Sequence, residues 1–147
     1  MKKKSGESVR GELQPPNAPR PLRVLVAEDD RDGALTLMMV LREEGHETRA
    51  VHSGRSVMRA VTDFQPDVAI IDIQLPELSG WEVARQIRER FGKRPMLIGI
   101  SGEYKKGVDK ILSELIGFDH YLVKPYLISD VLRLIASLRQ QHPSNPA

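Results

Sequence analysis

Val68-Ala69-Ile70-Ile71-Asp72 is a run of four apolar residues that ends in a single carboxylate. Turn formers follow at once, first Gln74-Leu75-Pro76 and then Ser79-Gly80. A short, branched-rich apolar run bounded by turn signals reads as a strand buried on both faces, which is the pattern of a parallel sheet. In open α/β sheets, ligands bind at the carboxyl ends of the strands. Asp72 is therefore placed as a candidate active carboxylate before any other residue is considered.

The rest of the chain supplies the sheet that such a strand needs. Leu22 to Ala27 reads as a strand and runs into Glu28-Asp29-Asp30. Ala34, Leu37, Met38 and Leu41 then fall at helical spacing, and Gly45 stops that helix. Glu47 to Val51 is a weaker strand. Ser53 caps a helix with the stripe Val57, Ala60, Val61 and Phe64, which Pro66 closes. Asp67 to Ile71 is the buried strand. Ser79 and Glu82 have capping-box spacing ahead of Val83, Ala84, Ile87 and Phe91. Pro95 to Ile100 is a fourth strand ending in Ser101-Gly102, with Gly99 unusual inside it. Val108, Ile111, Leu112 and Leu115 mark a fourth helix. Asp119 to Val123 is a fifth strand, running into Lys124-Pro125. Ile128, Val131, Leu132, Ile135 and Leu138 mark the last helix. Five strands alternating with five helices predict an α/β fold: a doubly wound parallel sheet with helices on both faces.

Domain organisation follows from composition. Residues 1–21 hold Gly6, Gly11 and four prolines with scattered charge, and are expected to be a flexible basic arm. Residues 22–140 form the domain, and residues 141–147 a disordered tail. Residues 1–20 carry five Lys or Arg and two Glu; the whole chain is +2, so residues 21–147 net −1. The basic pI of about 9.0 therefore belongs to the arm, and no direct DNA binding is expected of the folded part. There is no cysteine, which excludes disulfides and thiolate metal sites. No apolar run approaches the roughly 20 residues of a membrane span, and no apolar segment follows Lys2-Lys3-Lys4 as a signal peptide would require. A cytoplasmic protein with no membrane contact is the expectation.

All carboxyl ends of a parallel sheet share one edge. That edge collects Glu28 and Asp29, Asp72, Ser101 and Lys124. Clustered carboxylates repel one another, so a cation is needed to keep them ionised. An oxygen-only donor set favours Mg²⁺, with Mn²⁺ able to substitute. A hydroxyl and an ammonium suit phosphoryl oxygens. A carboxylate between metal and ammonium can act as a phosphoryl-accepting nucleophile. Asp30 or Asp32 is left as the cap of the first helix. Trp81 and the four histidines are assigned packing or surface roles.

The pieces Val24-Leu25-Val26-Ala27-Glu28-Asp29-Asp30, Ile71-Asp72-Ile73-Gln74-Leu75-Pro76, Ser79-Gly80-Trp81-Glu82, Ile100-Ser101-Gly102 and Gly117-Phe118-Asp119-His120-Tyr121-Leu122-Val123-Lys124-Pro125, in this order, resemble the receiver domain of two-component response regulators. The likeness covers about residues 22–140 and implies a chemotaxis-regulator-like, single-domain response regulator. It implies a flavodoxin-like sheet in the order 2-1-3-4-5. It also implies Asp72 as phosphoacceptor, and Mg²⁺ held by Asp29, Asp72 and the Gln74 backbone carbonyl, with Glu28 acting through water. Lys124 and Ser101 would bind the phosphoryl group, and Ser101 and Tyr121 would form the switch pair. Gln74 and Glu103 would tune dephosphorylation, and a cis peptide would join Lys124 to Pro125.

The function so implied is that of a phosphoacceptor signalling domain rather than an enzyme, assisting its own phosphorylation and dephosphorylation. The phosphoryl donor would be a sensor histidine kinase or a histidine phosphotransfer protein. The output would be control of a downstream protein effector, by a monomer or a phosphorylation-dependent dimer. The alternative is a receiver module of a hybrid-kinase phosphorelay, acting as phosphoryl shuttle or sink.

Overall fold

The structure is a computed structural model and describes residues 20–102 and 116–141. Five strands, β1 (Arg23–Ala27), β2 (Glu47–Val51), β3 (Val68–Asp72), β4 (Met96–Ser101) and β5 (His120–Val123), form one parallel sheet in the order β2-β1-β3-β4-β5. Four helices are described: α1 (Arg31–Glu43), α2 (Gly54–Phe64), α3 (Gly80–Phe91) and α4 (Ile128–Gln141). The helix expected over Val108, Ile111, Leu112 and Leu115 lies outside the described residues, as do Glu103, most of the N-terminal arm and residues 142–147. α4 runs through Gln141, one residue past its expected end.

Alternation along the strands divides the core in two. Leu25, Ala27, Ala69, Ile71 and Leu97 face α2 and α3 with Val57, Val61, Phe64, Val83 and Ile87. Val24, Val26, Val68, Ile70, Ile98 and Ile100 face α1 and α4 with Leu37, Leu41, Val131 and Ile135. Ile70 and Ile71 are adjacent in sequence and buried on opposite faces, each contributing on the order of 1.5–3 kcal/mol through burial. β3 is buried at every position, as a central parallel strand must be.

Local signals act largely as expected, with informative departures. Ser53 and Ser79 accept hydrogen bonds from the amides of Ser56 and Glu82, capping α2 and α3. The Glu82 carboxylate pairs with Arg85 and Gln86, so the capping box contributes its serine half. Asp30 is the N-cap of α1 by position, but its side chain makes no capping bond. Phe91 departs from its predicted buried stripe: it is the last residue of α3 and is 37% exposed, with Arg90 lying over its ring. Gly99 now has a cause. A Cβ there would meet the Phe118 ring at 3.0–3.2 Å, and Phe118 is a buried member of the core.

Candidate functional site

The register of the sheet decides which side chains meet. Ala27 lies opposite Val51 and Ile71, Asp72 opposite Ile100, and Ser101 opposite Val123. The residues at or just beyond these ends therefore emerge on one edge. Asp72 ends β3 and is only 4% exposed. Its backbone is held by the start of α3. The Gly80 amide donates to the Ile73 carbonyl at 2.8 Å, and a Cβ on Gly80 would come within 2.5 Å of the Asp72 carbonyl oxygen. Only glycine permits that approach.

Each oxygen of the Asp72 carboxylate has a donor. Oδ1 accepts from the Gln74 amide at 2.8 Å, and Oδ2 from Lys124 Nζ at 2.7 Å. Lys124 Nζ also lies 3.2 Å from Glu28 Oε1. Glu28 Oε2 accepts from the Asp30 amide at 3.1 Å. Ligand oxygens of Glu28, Asp29 and Asp72 all lie within 4.8 Å of one another. Ser101 is buried at the end of β4, and its carbonyl accepts the Lys124 amide at 2.7 Å. Gln74 is exposed at the rim. The peptide joining Lys124 to Pro125 is cis; so is the one joining Arg94 to Pro95, which the sequence reading did not single out.

Tyr121 is half-buried on β5. Its ring stacks on that of Trp81, with centroids 5.9 Å apart and planes 18° from parallel. Trp81 meets Phe118 edge-on at 5.7 Å. Trp81 is thus a packing residue that touches the expected switch aromatic.

Burial, together with the neighbouring Asp72, raises the Glu28 carboxyl above its ordinary range. Burial pulls the Lys124 ammonium down, but its bonds to Asp72 and Glu28 outweigh burial and raise it on balance. Burial also raises the Tyr126 hydroxyl, with the Glu28 charge adding to it. Ionised, three carboxylates and one ammonium leave a net charge of −2 at the edge. A donor set of carboxylates with no His or Cys among the clustered residues fits a hard divalent cation such as Mg²⁺.

Two neighbours of the site carried no sequence signal. Tyr126 lines the floor beside Glu28 and Asp72. His52 Nδ1 lies 2.8 Å from the Glu28 carbonyl oxygen. A lone histidine after a weak strand gives no sign of a partner 24 residues away.

A family model, response regulator receiver domain, matches residues 24–136. The chain belongs to the response regulator receiver family. Solved receivers share its architecture. The receiver domain of the Francisella response regulator 1452 is 26% identical, with a TM-score of 0.76, over 82% of this chain and 98% of its own. The Vibrio cholerae chemotaxis protein CheY4 is 21% identical, with a TM-score of 0.74, over 80% and 98%. The receiver of the sensor histidine kinase PA1611 from Pseudomonas aeruginosa is 24% identical, with a TM-score of 0.71, over 80% and 97%; its structure has a magnesium ion coordinated in the active site cleft. No helix among the described residues of this receiver is long and apolar enough to cross a membrane.

Proposed function

We propose that this receiver takes a phosphoryl group from a phosphohistidine of a sensor kinase or phosphotransfer protein onto Asp72, and that the modified form controls binding of a downstream protein. The observation that carries this reading is the position of Lys124 Nζ, 2.7 Å from Asp72 Oδ2 and 3.2 Å from Glu28 Oε1. A buried carboxylate, the group type that can accept a phosphoryl group, thereby sits beside a cation suited to phosphoryl oxygens.

In the transfer, an Asp72 carboxylate oxygen attacks phosphorus in line. The O–P bond forms as the P–N bond to the donor imidazole breaks, and that imidazole takes a proton from solvent. Lys124 moves its ammonium contact from the carboxylate to an incoming phosphoryl oxygen. Asp29, Asp72 and the Gln74 carbonyl would hold Mg²⁺, with Glu28 acting through water. Bound there, the ion supplies neutralisation of the phosphoryl charge.

The acyl phosphate then biases an existing two-state equilibrium. The Ser101 hydroxyl turns toward the phosphoryl oxygens and Tyr121 moves with it, which disturbs its stack on Trp81. Gln74, at the exposed rim, tunes the access of hydrolytic water.

The test is incubation with Mg²⁺ and acetyl phosphate, read by intact mass and by Trp81 fluorescence. One phosphoryl group should be added, and Asp72→Asn should abolish the addition. Equal labelling of Asp72→Asn would remove Asp72 as the acceptor.

A further inference from the structure

β1 and β2 stop pairing at Ala27 and Val51. One more ladder bond follows, from the Glu28 amide to the Val51 carbonyl at 3.0 Å. The chain beyond Val51 then turns into α2, whose cap is Ser53, and the backbone of β2 leaves the sheet edge. At that point the Glu28 carbonyl is met by a side chain, with His52 Nδ1 at 2.8 Å in a partly buried contact. A carbonyl oxygen only accepts, so the proton of this bond resides on Nδ1. The imidazole serves as the last rung of a ladder whose backbone donors have run out.

We infer that His52 is a positioning residue for the acidic pair, holding the Glu28 carbonyl and so fixing the peptide that joins Glu28 to Asp29. That peptide is a rigid plane. Its rotation changes ψ of Glu28 and φ of Asp29 together, and the latter aims the Asp29 side chain. Glu28 is gripped on both sides by consecutive residues, its amide by Val51 and its carbonyl by His52. Its carboxylate is tied in turn to the Asp30 amide. Removing the imidazole donor leaves the carbonyl end of this grip open, at the segment where Asp29 must be presented.

The importance of this bond for metal binding rests on the reading of the cluster as a Mg²⁺ site. Its importance for the loop does not. The test therefore has two arms, on His52→Ala and His52→Asn. An asparagine amide can place a donor close to the position of Nδ1, whereas alanine cannot. In the first arm, amide hydrogen exchange is followed by NMR on the protein stripped of metal with chelator. His52→Ala should exchange at least about 5-fold faster at Glu28 and Asp30, with the β3 and β4 amides unchanged, and His52→Asn should recover most of the protection. In the second arm, Mg²⁺ binding is measured by calorimetry. Removal of an outer partner of a ligand set typically costs about 10-fold or more in affinity, so His52→Ala should bind about 10-fold more weakly, and His52→Asn within about 2-fold of the parent.

Unchanged exchange at Glu28 and Asp30 in His52→Ala would overturn the inference. So would weakened or lost binding that His52→Asn fails to rescue. If the parent itself binds no Mg²⁺, the metal reading of the cluster falls, and the exchange arm alone decides the role of His52. If His52→Ala does not fold, exchange in His52→Asn decides: loop protection as in the parent supports the donor role, and its loss rejects it.

Discussion

Lys124 Nζ reaches Asp72 Oδ2 at 2.7 Å across 52 residues of sequence. It is the one described cation against the acidic cluster, bridging Asp72 to Glu28. The lysine side chain is 38% exposed while that of Asp72 is 5% exposed, so the carboxylate depends on the pair more than the ammonium does.

Lys124→Ala leaves buried Asp72 facing two other carboxylates with one donor fewer. Without divalent cation the variant should lose about 1–2 kcal/mol of stability, below the cost of breaking a fully buried pair because Lys124 is partly solvated. Urea midpoints in chelator, compared with midpoints in excess Mg²⁺, measure this. The deficit should shrink when Mg²⁺ is present, and a deficit unaffected by Mg²⁺ would count against a cation site at the cluster.

Gly99 and Phe118 are matched in shape. Gly99→Ala would push a methyl carbon to 3.0–3.2 Å from the ring, and overpacking of this kind costs about 1–3 kcal/mol. Phe118→Leu alone should also destabilise, by trimming the core. Combined, the two should cost less than their sum, because each creates or fills the space the other needs. A double-mutant cycle in urea measures the coupling; strict additivity would show that the close approach relaxes without consequence.

Arg88 ties together three chain segments. Nε donates to the Gly117 carbonyl at 2.8 Å, one terminal nitrogen to Gly92 and Pro95 at 2.9 Å each, and the other to Asp119 at 2.8 Å. Asp119 in turn accepts from the Leu97 amide. Arg88→Ala strips a donor from the partly buried Pro95 and Gly117 carbonyls, ahead of β4 and β5, and should cost about 2–4 kcal/mol. Arg85 pairs with Glu82 and Glu89 one turn away on the exposed face, and Arg85→Ala should leave the denaturation midpoint nearly unchanged. Equal midpoints for the two variants would contradict this account.

His46 is 7% exposed and accepts the Leu22 amide at Nδ1. Burial, reinforced by the nearby Arg139 charge and opposed by Asp67, lowers its imidazole from the ordinary 6.5 to about 4. The unfolded chain therefore binds the proton more readily than the folded one between these values. This contribution to stability is complete above about pH 6.5, declines as pH falls and is spent below about pH 4, a loss on the order of 3 kcal/mol. His46→Asn keeps an acceptor for Leu22 and removes the titration. Its stability should fall less than the parent's between pH 7 and pH 4.5; parallel curves would reject the assignment.

The sheet was legible because each of its signals is local. β3 declares itself by apolar run and turn formers, the helices by spacing and caps, and the βα alternation leaves a doubly wound parallel sheet. Asp72, Asp29, Glu28, Ser101 and Lys124 could be nominated because a parallel sheet sends every strand's carboxyl end to one edge. The strand order 2-1-3-4-5 was implied by resemblance, not by spacing, and the structure shows it.

Other features depend on residues far apart in sequence. Gly99 is anomalous as a strand residue on local grounds, and its reason is Phe118, 19 positions later, whose ring fills the space. Phe91 fits the apolar period of α3, yet as the last residue of that helix it is left exposed. His46 and His52 were indistinguishable as letters. One is buried against Leu22 and Arg139, and the other closes the ladder beside Glu28.

Period, turn residues and handedness act over short distances, so the chain's letters alone were enough to place the described strands and helices and to name the sheet edge that gathers Glu28, Asp72 and Lys124. Only the tertiary structure decided which donors serve the Asp72 carboxylate, what Gly99 makes room for and which histidine supports the acidic pair. Those depend on side chains distant in sequence that packing alone brings together.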